Sequence, residues 1–283
     1  MLILAGELIF ILPYFLPRVF RPTFLAVFNV NNFELGSLFS IYGIVALFSY
    51  VFGGTLADRF LPRNLISISL ILTSLGGIVL ATYPNILILK VLYGYWGFTT
   101  VFLFWAAMIK GTRIWGGLHN QGKAFGYLDG GRGLTASLLG TFGVIVFSIF
   151  LNHDATSASI LERQDAFKNV ILFFSGIIAF IGLMVFFFMR TNINEGVLQS
   201  KSDLSYKNIF TVLKLESVWL LMIIIMCAYF GYKVTDIYSL YASDVLGYDE
   251  VKAANISSLQ LYLRPIACIL IGCLCIKRLP VLT

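Results

Sequence analysis

Nine ionisable side chains lie inside long apolar stretches of this sequence: Arg18, Arg21, Lys90, Arg132, Lys233 and Arg264 are cationic, and Glu7, Asp129 and Asp236 are anionic. A charge held at the centre of a bilayer costs roughly 2.5–3.5 kcal/mol on insertion scales, so such residues mark a site or a pair. Asp129 and Arg132 are three residues apart, as are Lys233 and Asp236. That spacing brings each pair together on one helix face. Glu7 stands near enough to the start of its stretch to reach a membrane surface. Arg18, Arg21 and Arg264 are left without an evident partner. A guanidinium in that position calls for a water-filled cavity or an anion, and its planar fork suits phosphate, carboxylate or nitrate.

The elements that must carry these charges follow from composition. Of 283 residues, 59% are hydrophobic and only 12% charged, where soluble domains carry roughly 25% charged residues. The mean hydropathy is +0.88. So little polar surface excludes a soluble enzyme and a disordered chain, and a span needs roughly 20 apolar residues. Eight spans are predicted, over 2–28, 36–57, 64–82, 86–109, 124–151, 169–189, 216–240 and 255–276. The first is interrupted by Pro13, Pro17 and Pro22. Proline removes an amide donor, so this helix is expected to bend. Met1 leads directly into apolar residues, which is not the pattern of a removed signal peptide.

Basic residues in the connections set the expected orientation. Arg59, Arg63, Lys110, Arg113, Lys123, Arg190, Lys201, Lys207, Lys214, Lys277 and Arg278 follow the even-numbered spans, against Arg163, Lys168 and Lys252 after the odd ones. Both termini are therefore expected in the cytoplasm. The connection before span seven ends in Tyr206–Leu215, where Ile209, Phe210, Val212 and Leu213 have the spacing of a short surface helix. This organises the chain as a six-helix bundle over 1–190, a cytoplasmic loop over 191–214 and an incomplete second bundle over 215–283. The fold class expected is an all-α polytopic membrane protein with about eight spans.

Span two ends in Gly53-Gly54-Thr55-Leu56-Ala57-Asp58-Arg59-Phe60-Leu61-Pro62-Arg63. Gly54 is expected to let two helices approach closely. Asp58 at a helix end can accept hydrogen bonds or face another helix's amino terminus, and Arg59 and Arg63 suit an anionic cytoplasmic leaflet. This stretch resembles the loop signature of the major facilitator superfamily, G-x-L-A-D-R-x-G-R-R, with Leu61 in place of the second glycine. Gly272-Cys273-Leu274-Cys275-Ile276-Lys277 is similar to it six spans later, without the aspartate. Two repeated six-helix halves are a transporter plan, and the resemblance implies that these eight spans correspond to the first eight of twelve.

The resemblance implies further roles. Gly54, Asp58, Arg59 and Arg63 would form the loop that switches conformation. Lys90-Val91-Leu92-Tyr93-Gly94 stands where family members often carry R-x-x-x-G, a pair linked to proton coupling, although Lys90 would equally well snorkel to the outer surface. Asp129, Arg132 and Asp236 join Lys90 as candidate coupling or ion-pair residues, and of these Asp129 is the expected titrating group. Gly122, Gly126, Gly130, Gly133, Ser137 and Gly140 form a small-residue face on span five. Tyr14-Phe15-Leu16-Pro17-Arg18 is loosely similar to the first span of organophosphate antiporters, in which branch Lys233 would be a second cationic position. Arg264 has a counterpart in the nitrate porters, whose span-five signature is absent here. The resulting expectation is a secondary transporter in the cell (inner) membrane. Tyr14, Arg18, Arg21, Lys233 and Arg264 would bind a small anion, with a co-transported proton or sodium, as a monomer and without cofactor.

Competing classes are weaker on the same residues. An integral-membrane transferase would need clustered reactive groups, but His119 and the pair His153-Asp154 fall on opposite sides. A non-transporting fragment of a twelve-helix protein is the other alternative. Cys227, Cys268, Cys273 and Cys275 all lie in apolar runs, with neither zinc nor disulfide spacing, and are expected to be buried. The net charge of +6 has no soluble domain on which to form a nucleic-acid face. No G-K-S/T ends a glycine run, which argues against direct ATP use.

Overall fold

The computed structural model describes residues 1–117, 120–151, 159–189, 211, 214–263 and 265–266. Arg264, the three cysteines from Cys268 onward, the Gly272 repeat, both histidines and the proposed surface helix before Leu215, apart from Thr211 and Lys214, lie outside the described residues.

Seven helices are long and apolar enough to cross a membrane: α1 (Leu2–Val19), α2 (Asn32–Arg59), α3 (Pro62–Leu80), α4 (Ile86–Gly116), α5 (Gln121–Phe150), α6 (Ile160–Phe188) and α7 (Glu216–Asp244). An eighth, α8, is described over Glu250–Leu259. Among the described residues there is no strand.

The prolines act on α1 as their chemistry requires. It runs as Leu2–Leu8, a π-helical turn Ile11–Phe15 and a short helix Leu16–Val19, then restarts over Arg21–Phe28. Pro17 and Pro22 stand in the first two positions of the latter two pieces, where a missing amide breaks no bond within its own piece. Capping decides other boundaries. Asn31 and Glu34 form a reciprocal capping box at the start of α2, and Ser159 and Glu162 do the same for α6. The latter pair satisfies two of the helix's free amides, which is why α6 begins nine residues before the predicted span, at Ile160 rather than 169.

Helix α3 packs along α6, α2 along α4, and α1 along α5. Aromatic edges join them: Phe20, at the break before α1's restart, lies 5.3 Å from Phe147 of α5 and 5.7 Å from Phe167 of α6. Hydroxyls add polar ties. Ser67 donates to the Gly182 carbonyl at 2.7 Å, and Ser69 donates to the Thr99 carbonyl at 2.9 Å.

Close approach on α5 involves only part of the expected small-residue face, and falls also at Gly131 against Ile3 and at Gly143 against Phe174. A methyl group on Gly140 would lie 3.1 Å from Ser258 and 3.2 Å from Phe15, whereas Gly122 and Gly126 face open space. The α2 motif also differs from expectation. Gly53, not Gly54, carries the close contact: a Cβ there would meet the Phe102 carbonyl at 3.0 Å, and nothing lies within 4 Å of one on Gly54. The helix turns Gly53 toward α4 and leaves Gly54 outward.

Over Glu216–Lys233, α7 buries no residue, and Cys227 there is exposed rather than buried. The later part of α7, from Val234, and α8 rest instead on α1 and α5. These contacts lie at the end of the molecule opposite the Asp58-Arg59 loop.

Candidate functional site

The last two pieces of α1 and the end of α7 bring three of the predicted cations to Asp236, two to its carboxylate and one to its backbone carbonyl. Arg18 Nε donates to Asp236 Oδ1 at 2.6 Å and its Nη1 donates to the Tyr232 hydroxyl at 2.5 Å, with the guanidinium 4.9 Å from the Tyr232 ring centre. Lys233 Nζ donates to Asp236 Oδ2 at 2.7 Å. Arg21 donates through Nε and Nη2 to Asn32 Oδ1 at 3.0 and 2.9 Å, and through Nη1 to the Asp236 carbonyl at 3.2 Å. Arg18 and Arg21 are thus not the partnerless cations that sequence spacing predicted, because the partners come from α7 and from the start of α2.

The electrostatics are unbalanced. Asp236 supplies one negative charge to Arg18 and Lys233, while Arg21 has neutral acceptors among the described residues. The site therefore carries positive charge in excess. Burial holds it there: the Arg18 and Asp236 side chains are 11% and 14% exposed, while Lys233 is 37% exposed. Beneath Lys233 lies an aromatic floor. Its Nζ stands 5.2 Å from the Tyr14 ring centre and 5.5 Å from that of Phe39, which stack on each other at 5.2 Å. A cation over a ring face is attracted by the ring quadrupole. Tyr14 also packs edge-on against Tyr42, whose hydroxyl shares a hydrogen bond with Thr100.

A second charged cluster sits toward the other end of α1. Phe10 N bonds to the Glu7 carbonyl, so the break in α1 leaves the Gly6 carbonyl without its usual amide. Arg132 of α5 fills that gap, donating from Nε at 3.0 Å. The same Nε lies 3.4 Å from Glu7 Oε2, and Nη1 lies 3.3 Å from Asp129. Glu7 is 12% exposed, so it does not reach the surface as expected, whereas Asp129 is 51% exposed. Trp105 and Phe10 cover the guanidinium at 5.7 and 5.9 Å.

At the Asp58 loop, Lys110 donates to the carbonyls of Ala57, Asp58 and Phe60 at 2.7, 3.3 and 3.4 Å. It thereby caps the end of α2, where free carbonyls favour a cation. Asp58 and Arg59 are exposed, and Arg63 stacks 5.7 Å from the Phe186 ring. Lys90, half-buried near the start of α4, makes no ion pair or hydrogen bond among the described residues.

Spacing alone missed Asn32, Phe39 and Tyr232. Tyr232 is adjacent to Lys233, and its aromatic hydroxyl beside a membrane cation was the available signal. The others are legible only once distant helices meet.

Fold and site together define an all-α polytopic membrane protein with a cationic cluster where its first and seventh helices join. The chain belongs to the Major Facilitator Superfamily, whose family model matches residues 3–280. It is 28% identical to the inner membrane protein YqcE of Escherichia coli K12 over 226 residues, covering 79% of this chain and 51% of that protein. It is 26% identical to the inner membrane protein YihN of the same organism, over 78% of this chain and 51% of that protein. The uncharacterized MG294 homolog of Mycoplasma pneumoniae is 25% identical, over 81% of this chain and 51% of its own length. The chain therefore spans about half the length of these relatives. No solved structure matches it.

Proposed function

We propose that the chain forms the substrate-binding part of a secondary active transporter for a small anion, in a cell inner membrane like that named for its Escherichia coli relatives. The observation carrying this reading is the charge imbalance at Asp236: its one carboxylate serves Arg18 and Lys233, while Arg21 beside them bonds only to the neutral Asp236 carbonyl and Asn32 among the described residues. A buried cluster with surplus positive charge is costly in a low-dielectric medium unless an anion completes it. Arg18 and Arg21 would grip the anion with planar donor pairs, and the more exposed Lys233 would meet it first. Tyr14 and Phe39 offer ring faces to the apolar part of an organic solute. Arg264 belongs to this proposal on its sequence position.

Asp236 gives the site a mechanism. Its carboxylate occupies the donors that an incoming anion would use, and it fastens α7 to α1. An anion that displaces it loosens this tie, which couples binding to relative movement of the two parts. With the basic end facing the cytoplasm, as the connections indicate, the ties at Arg18 and at Glu250, which accepts from Thr23 and Arg163, close the outer end.

Purified protein in liposomes, assayed for uptake of phosphate esters, carboxylates, sugar acids and nitrate with pH and sodium varied, tests the reading. Uptake of at least one anion is expected, lost on combining Arg18→Gln with Arg264→Gln. Unchanged uptake in that double variant would end the proposal.

A further inference from the structure

The helical piece that carries Arg18 ends at Val19, and the next opens with Pro22, which has no amide hydrogen, so the Arg18 carbonyl has no intrahelical donor. In lipid a carbonyl left that way costs several kcal/mol. The acceptor is taken up from the other part of the molecule. Ser239 of α7 donates its hydroxyl to the Arg18 carbonyl at 2.8 Å, and Ser257 of α8 approaches it at 3.4 Å. Both serines are fully buried at 0% exposure. The shorter contact is an ordinary hydroxyl bond and the longer one is weak, so Ser239 carries most of the link.

Serine inside a helix has an alternative, which is to bond back to a carbonyl one turn earlier on its own helix. Thr112, Ser137 and Ser175 do so here. Ser239 instead reaches across to α1. One residue, Arg18, is thus held twice by α7: its side chain by Asp236 and Tyr232, and its backbone by Ser239. A third tie lies beside it, where Glu250 of α8 accepts from Thr23 at 2.7 Å and from Arg163 of α6 at 2.6 Å.

The geometry points to the proline-freed carbonyl of Arg18 as the fastening point between α1 and the α7–α8 pair, with Ser239 as a positioning residue. Ser239 fixes the backbone from which the guanidinium projects and holds this end of the molecule shut. This deepens the proposed function, in which Arg18 is the central binding side chain. The link is neutral, so a bound anion that displaces Asp236 leaves it in place. It must break separately when this end opens.

Spin labels at Leu161 and Leu246, both exposed, in a variant with the native cysteines replaced by serine, give the separation of this end without any solute. Ser239→Ala should shift the distance distribution toward longer values and lower thermal stability, while Ser239→Thr, which keeps the hydroxyl, should hold the wild-type distances. Adding Pro22→Ala to Ser239→Ala supplies an amide hydrogen four residues after Arg18, so that the turn through Phe20 can close on the Arg18 carbonyl. Stability should then return while the longer distances remain. Wild-type distances in Ser239→Ala, or their recovery along with stability in Pro22→Ala/Ser239→Ala, overturn the proposal and leave the serine as a mere partner for a stray carbonyl. If Ser239→Ala does not fold, Ser257→Ala and Ser239→Thr decide: a folded Ser239→Thr with longer distances overturns it. Because no solute is present, failure of the anion-uptake assay would remove the transport reading and leave this result standing.

Discussion

Arg18 and Asp236 are 218 residues apart in sequence and 2.6 Å apart in space, with both side chains almost covered. Their bond is one arm of a three-way contact, because the second oxygen of Asp236 serves Lys233. Removing one member of a buried ion pair is far more costly than the pair's own net worth, since it leaves an uncompensated charge. The relationship therefore sets the behaviour of the whole cluster.

Asp236→Asn should lower stability by about 3–5 kcal/mol. The loss should be partly reversed by inorganic phosphate, because the anion then stands in for the carboxylate. Saturation to a hundredfold above its dissociation constant contributes about 2.7 kcal/mol. Thermal unfolding in detergent with and without phosphate measures this, and the variant should gain more than the wild type. Equal insensitivity of both proteins to phosphate contradicts it.

Arg132→Met strips the Gly6 carbonyl and Glu7 of a donor together. It should destabilise by roughly 3–5 kcal/mol, as a broken buried pair does. Glu7→Gln/Arg132→Met should be less damaging than the two single losses added, by a coupling of about 0.5–3 kcal/mol. A double-mutant cycle read by chemical unfolding gives the number, and strict additivity would show the two residues to be independent.

The two adjacent glycines of α2 should respond in opposite ways. Gly53→Ala pushes a methyl group against the Phe102 backbone and should cost about 1–3 kcal/mol, as overpacking does. Gly54→Ala meets nothing within 4 Å and should be neutral or stabilising by up to about 1 kcal/mol, from helix propensity alone. Melting temperatures of the two variants are sufficient to compare them.

Asp249 precedes α8, outside the spanning segments. Partial burial opposes its charge, but the Lys252 amide at 2.8 Å and the Lys252 ammonium at 3.3 Å outweigh that and hold the carboxyl below its usual range. A depressed carboxyl stabilises the fold above its unfolded value, near pH 3.9, and the contribution is lost as pH falls through the lower folded value. Asp249→Ala should therefore cost about 1 kcal/mol at pH 7, as for a lost helix cap. The difference from wild type should vanish in strong acid. A difference that persists unchanged in strong acid would assign the effect to something other than the ionised cap.

The helices were legible because lipid enforces a simple rule: every buried backbone group is satisfied within the segment, so apolar length maps onto span. The breaks in α1 were legible at Pro13 and Pro17, whose chemistry is local. The start of α6 was readable in Ser159 and Glu162, yet a hydropathy reading passes over it because Glu162, Arg163 and Asp165 look like loop. Charge partners were legible only within one helix, as for Lys233 and Asp236. The choice of Asp236 for Arg18, or of Arg132 for Glu7, depends on which helices adjoin, and periodicity does not encode that. Gly53 and Gly54 show the same limit at finer scale: the motif locates the loop, but the rotation of α2 against α4 selects which glycine is used.

Helix α7 has 29 residues, and its ties to α1 given above begin at Tyr232. At a rise of 1.5 Å per residue the 18-residue arm Glu216–Lys233 is about 27 Å long, so a tilt of roughly 10° about the held end would sweep its far end through about 5 Å. It is a lever whose fulcrum coincides with the charged cluster. Small rearrangements at Arg18 would thus be magnified along the arm into displacements of several ångströms at its far end.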